Sequence, residues 1–223
     1  MLILTSNWPK FPLLVNRVVL VNRWLMYDNV DPAGELMWLA NKLLEVETAG
    51  KKAHILAHHP MGNDDCMHMW SSQYRRIVDS RATSVTFTAG SGTPFSLINP
   101  NYRVYTIDAD SASFRVLDHE TWFYNLTEAN MGGEGVPPNW QVMYSFNAAY
   151  GTSAPFPSEM DALVHRMVND TALQDQYWRY HEKMGDASLA QGCDATCMQG
   201  LMCETVITVQ GDTSKCDELY PAP

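Results

Sequence analysis

Residues 31–62 constrain the fold most, because a helical segment gives way within three residues to a short apolar one and then to a polar turn. Asp31 is placed to cap free N–H groups, Pro32 suits a first helical turn and Gly50 suits a helix exit. Between them Leu36, Leu39, Leu43 and Val46 recur on one face at helical spacing, which predicts a helix over 31–50 lying on an apolar layer. Ala53-His54-Ile55-Leu56-Ala57 is short enough for a buried strand. Helix, strand and polar turn in that order predict an α/β layer. In such sheets functional groups collect just beyond the carboxyl ends of the strands.

Further along, Tyr74–Val78 reads as the end of a second helix. Ser84–Thr88 and Arg103–Ile107 alternate as strands, and Phe114–Leu117 is a shorter strand candidate. The loop Ala89-Gly90-Ser91-Gly92-Thr93-Pro94 lacks the Gly-Lys-Ser/Thr ending of a phosphate-binding P-loop. Past Asn130 the run Gly132-Gly133-Glu134-Gly135-Val136-Pro137-Pro138 reads as a linker or turn. Helical stripes follow it: Trp140, Met143, Tyr144 and Ala148, then Leu163 and Met167, then Leu173, Tyr177 and Tyr180.

The tail adds a second constraint. Cys193, Cys197, Cys203 and Cys216 form an even cluster, which indicates disulfides made in an oxidising compartment. Zinc is the weaker reading, since paired C-x-x-C knuckles are missing and no histidine stands beside them. The sequons at Asn125 and Asn169 fit the secretory route. Cys66 is left over, which points to a free thiol or to a partner on another part of the protein. A formal net charge of -10 argues against nucleic acid as a partner, because phosphate contacts want a basic surface. The most apolar N-terminal run, Phe11–Tyr27, is interrupted by Arg17 and Arg23, so it reads neither as a membrane span nor as a signal peptide.

Three histidines crowd the turn: His54, His58 and His59. A strand-end histidine such as His58 serves as a metal ligand, a general base or a buried hydrogen-bonding residue. Pro60 biases His59 toward an extended backbone and pins the turn. His54 belongs to the strand, and His68 reads as a surface residue of the next segment. These histidines lie on one continuous segment, whereas catalytic zinc needs about three protein ligands converging from different directions.

Several stretches resemble the acid sphingomyelinase family. They are Asn22-Arg23-Trp24-Leu25 with Asp31-Pro32-Ala33-Gly34-Glu35-Leu36-Met37-Trp38-Leu39, the turn His54–Gly62, Ile98–Asp108, and Val116-Leu117-Asp118-His119-Glu120-Thr121. The spacing of the four tail cysteines is similar as well. The resemblance runs in order from about residue 22 to 223. It implies a metallophosphoesterase, here a partial β-sandwich with flanking helices over 1–130 and a small helical, disulfide-stapled subdomain over 131–223. It further implies two zinc ions bridging an activated water that attacks the phosphorus of sphingomyelin, releasing phosphocholine and ceramide. On that pattern His58 is a zinc ligand, and Phe95 falls where an aromatic ring lies beside the choline headgroup, held by cation–π attraction. Phe95 as a core residue is the competing reading.

The resemblance also implies what this sequence departs from. The family's Asp-x-His, second Asp and Asn-His-Glu ligands have no counterpart here. The Gly-His-x-His loop belongs between the helix ending near Val78 and the strand beginning near Ser84, where Asp79-Ser80-Arg81-Ala82-Thr83 stands instead. Cys66 resembles a cysteine whose partner lies where this sequence reads Val19-Leu20-Val21. The resulting expectation is an acid-sphingomyelinase-like phosphodiesterase chain that is catalytically incomplete alone. The alternative is a non-catalytic lipid- or protein-binding module. Sphingolipid or another phosphodiester is the implied substrate, with possible contact to a membrane surface, and the family places such proteins outside the cell or in lysosomes.

Overall fold

The structure, a computed structural model, describes residues 2–5, 30–31, 34–57, 62, 67–80, 84–88, 90–110 and 113–221, with backbone alone at 2–5, 56–57 and 84–88. His58, His59, Cys66 and the run Phe11–Tyr27 lie outside the described residues. Two compact units contain them, one within Met1–Ala89, Asp110–Phe114 and Val206–Pro223, the other within Gly90–Ala109 and Arg115–Thr205.

In the first unit three strands run parallel in the order β1 (Leu2–Thr5), β2 (Ala53–Ala57), β3 (Ser84–Thr88). Parallel neighbours need crossover connections, and the helices α1 (Glu35–Thr48) and α2 (His68–Asp79) lie in those connections. The expected apolar stripe holds: Leu36, Leu39, Leu43 and Val46 pack with Ala53, Ile55, Trp70 and Tyr74 into one core. Fully burying each leucine stabilises the fold by roughly 1.5–3 kcal/mol. The helix is shorter than the expected 31–50: it starts at Glu35 with Gly34 as its N-cap, so Asp31 lies before the cap position. Its two carboxylate oxygens still serve the free first-turn N–H groups of Leu36 (2.9 Å) and Met37 (3.0 Å). Gly50 closes the helix with φ 64°.

The second unit contains an antiparallel sheet in the order β4 (Asn101–Ile107), β5 (Val116–Phe123), β6 (Gln141–Ser145). Two sequence readings change here. The strand expected at Phe114–Leu117 begins at Val116 and continues to Phe123, while Phe114 sits at φ 44° outside it. The helical stripe Trp140, Met143, Tyr144 and Ala148 is not one helix. Gln141–Ser145 pairs with β5, and only Phe146–Tyr150 is helical (α4). Cross-strand pairing of Val142 with Trp122 and Tyr144 with Thr121 overrides a spacing that also fits a helix.

The remaining elements are helical. Asn125 caps α3 (Leu126–Met131), accepting from Glu128 N–H at 3.0 Å, and Asp170 caps α6 (Thr171–His181). The helices α5 (Pro157–Val168), α6 and α8 (Ala195–Glu204) pack on one another, burying Leu163, Met167, Trp178 and Met202. Two shorter helices, α7 (Asp186–Gln191) and α9 (Ser214–Leu219), complete the set among the described residues. All four tail cysteines are disulfide-bonded, with Cys193 joined to Cys197, as the even cluster predicts. The fold is thus mixed α/β with a helical, disulfide-bonded C-terminal part. No helix among the described residues is long and apolar enough to cross a membrane.

Candidate functional site

Two places carry the residues that sequence reading singled out. The first is the turn after β2. His54 is half-buried in that strand and its Nε2 lies 2.8 Å from the carbonyl oxygen of Phe114, which accounts for it as a structural hydrogen-bonding residue. Gly62, in the same turn, has φ 79°, and a Cβ there would come within 2.1 Å of the carbonyl oxygen of Ile207. Backbone approaches backbone so closely that only glycine fits. His68 is exposed at the start of α2, with Nδ1 2.6 Å from the carbonyl of Gln210. Among the described residues no group of three His, Cys, Asp or Glu side chains is arranged to hold a metal ion. His58 and Cys66 are outside those residues, so the described part of the turn supplies no metal-binding set of its own.

The second place is the loop that carries Phe95. A 3-10 turn, Phe95–Leu97, follows the small-residue loop, and the Phe95 ring is 81% exposed. That exposure excludes the core reading. The loop has a strained backbone on a fixed base. Ser96 and Leu97 hold φ of 58° and 67°, and Lys183 and Met184 hold 52° and 54°. Non-glycine residues in this region cost of order 1–3 kcal/mol each and persist only where surrounding contacts impose them.

Those contacts come chiefly from two buried asparagines. Asn99 Nδ2 donates to the carbonyls of Lys183 (3.1 Å) and Met184 (2.9 Å), and its Oδ1 accepts from Leu126 N–H at 3.0 Å. Asn101 Nδ2 donates to the carbonyls of Asn99 (2.9 Å) and Ser91 (3.2 Å), and its Oδ1 accepts from Ser91 N–H. Gly185 sits under the turn, where a Cβ would meet the Leu97 carbonyl oxygen at 2.3 Å. An exposed ring on an over-determined loop is a preorganised contact surface. Reading the sequence located Phe95 but missed Asn99, Asn101 and Gly185 as its supports. The compact run Asn99-Pro100-Asn101 was the available signal, since asparagines beside a proline favour side-chain-to-backbone bonding.

Beside the loop, the outward side of the antiparallel sheet is aromatic. Tyr102 stacks on Trp122 (ring centroids 6.2 Å) and meets Trp140 edge-on (4.9 Å), which in turn meets Tyr124 (4.8 Å). Tyr102, Val104, Trp140 and Val142 are all exposed.

With this geometry in view, comparison with known proteins assigns a class: the chain matches phosphodiesterases. Residues 83–217 match the family described as acid sphingomyelin phosphodiesterase C-terminal region. A sphingomyelin phosphodiesterase of Bos taurus is 34% identical over 230 residues, covering 90% of this chain and 36% of the relative. One of Homo sapiens is 33% identical over the same shares. A more distant human relative, the cyclic GMP-AMP phosphodiesterase SMPDL3A, is 23% identical over 84% of this chain and 50% of its own length. The chain belongs to the acid sphingomyelin phosphodiesterase family. It spans about 36% of the length of the two sphingomyelin phosphodiesterases named here.

Proposed function

We propose that this chain forms the C-terminal, headgroup-facing part of an acid-sphingomyelinase-like phosphodiesterase and does not hydrolyse phosphodiesters by itself. The Phe95 loop carries this reading: an exposed aromatic ring on a rigid base is suited to a quaternary ammonium such as the choline of sphingomyelin. His58 is the zinc ligand this chain would contribute to a two-zinc site, and residues 1–130 would be the truncated metallophosphoesterase part, with 131–223 as the helical subdomain. The five-residue connection Asp79-Ser80-Arg81-Ala82-Thr83 where a Gly-His-x-His loop belongs supports the inactivity of the chain alone. A secreted or lysosomal location agrees with the disulfide-bonded cysteines.

Metal analysis of the purified chain, with a sphingomyelin hydrolysis assay on the same sample, tests this. Less than one zinc per chain and no turnover are expected. Two zinc ions per chain with turnover would overturn the inactivity. The exposed aromatic side of the antiparallel sheet favours a second reading, a module that binds lipid surfaces without chemistry. Flotation with sphingomyelin-containing liposomes, without hydrolysis, would support it, and failure to float would remove it.

A further inference from the structure

The other side of the antiparallel sheet is unusual for a core, because it is polar and cationic. Thr121 stands in register between Arg103 on β4 and Tyr144 on β6, and His119 stands opposite Tyr105. Residues two apart on a strand share a face, so Arg103, Tyr105, His119, Thr121 and Tyr144 form one contiguous patch. Helical residues cover it. Phe146 of α4 stacks on His119 at 4.9 Å, and Tyr180 of α6 stacks on Tyr144 at 4.4 Å. Thr121 is 0% exposed and His119 7%.

Four polar atoms on this patch have no hydrogen-bond partner among the described residues: Thr121 Oγ1, Arg103 Nε and both ring nitrogens of His119. Leaving one such atom unmet costs about 1–3 kcal/mol, and more when the group is charged. Arg103 Nη2 lies 3.5 Å from the Tyr144 hydroxyl, but the guanidinium forms no ion pair among the described residues. Lys183, half-buried nearby, gives its Nζ protons to the carbonyls of Tyr180 (3.0 Å) and His181 (2.7 Å) rather than to a carboxylate. Burial, then the Arg103 guanidinium, push Lys183 down to about 8, with Glu182 working the other way. A buried charge without a counter-charge is the costliest arrangement a core can hold.

We propose that the Arg103–His119–Thr121 patch is a binding site for a small anion. The anion accepts from Arg103 Nε–H, from the Thr121 hydroxyl and from the single N–H of neutral His119, and it supplies the counter-charge that Arg103 lacks. Chloride and sulfate share the required chemistry, as acceptors that donate nothing.

Thermal unfolding of the full chain at constant ionic strength, with gluconate exchanged for chloride or for sulfate, tests this. A saturable rise in Tm of about 2–4 °C is expected with at least one of the two anions once the site is mostly filled. Thr121→Val keeps the shape and removes the hydroxyl, so it should be no less stable in gluconate and should lose most of the response. Arg103→Lys keeps the charge without Nε–H and should also lose it. Equal Tm values in gluconate, chloride and sulfate would overturn the proposal. So would a response in Thr121→Val as large as that of the unaltered chain.

Discussion

The apolar core around α1 and β2 and the polar core between β4–β5–β6 and their helices solve the same problem in opposite ways. The first buries mainly aliphatic side chains that need no partners, with the Trp70 indole N–H as a buried polar atom in it. The second buries His119, Thr121 and Tyr150, with Tyr105, Tyr144 and Tyr180 half-buried around Arg103, where every polar atom needs one. Replacement should therefore act through lost packing in one and through lost or freed hydrogen bonds in the other.

The largest effect is expected in the apolar core. Leu43 is 0% exposed at its centre, and Leu43→Ala should lower stability by about 2–5 kcal/mol in urea unfolding. Next comes Asn99→Ala, which orphans the donor of Leu126 and two carbonyls under the Phe95 loop. A loss of about 2–3 kcal/mol is expected, and a loss below 0.5 kcal/mol (~ the noise of surface substitutions) would show that the asparagine does not hold the loop.

The two cores also titrate with opposite signs. Burial, then the nearby Arg103 charge, lower His119 from 6.5 to about 4, with Asp118 opposing. Between those values the unfolded chain holds the extra proton, so this stability is present above about 6.5 and is lost as pH falls toward 4. Glu35, beside α2, moves the other way. Burial first, then the Asp31 carboxylate, raise it from 4.5 to about 7, while the indole N–H of Trp70, close but without hydrogen-bond geometry, offsets part of this. Here the folded chain holds the extra proton, so this stability is present below about 4.5 and is lost as pH rises toward 7. Each swing is on the order of 3 kcal/mol. Unfolding free energy followed from pH 4 to 7 (~ the span of both windows) should therefore change little in the unaltered chain. Glu35→Gln should make it climb with pH, and His119→Gln should make it fall. Parallel profiles for the two variants would contradict the assignment.

Smaller again is the staple. Cys193 and Cys197 close a loop of only a few residues, so replacing both with serine should cost about 2 kcal/mol or less by the chain-entropy relation.

The apolar core was readable from sequence because burial there follows the helical period. Leu36, Leu39, Leu43 and Val46 announce the helix, and Asp31 and Gly50 mark its ends. The polar core was not readable. Arg103 and His119 look like ordinary exposed strand residues until pairing puts them on the covered face, and Tyr144 sits at a spacing that serves a helix or a strand equally. Phe95 was located through family resemblance, but its exposure depends on Asn99, Asn101 and Gly185, which meet it only through tertiary contact.

The smallest stability effect belongs to the residue with the most direct functional claim. Phe95→Ala should shift unfolding by no more than about 0.5 kcal/mol, since its ring is largely in solvent. Binding is the decisive measurement, made by titrating phosphocholine into the chain and following the amide signals of residues 94–97 by NMR. Saturable shifts in the unaltered chain that Phe95→Tyr retains and Phe95→Ala weakens at least severalfold are expected, as loss of a cation–π contact of about 0.5–2 kcal/mol requires. Identical titrations for the unaltered chain and Phe95→Ala would contradict a headgroup-facing role for this loop.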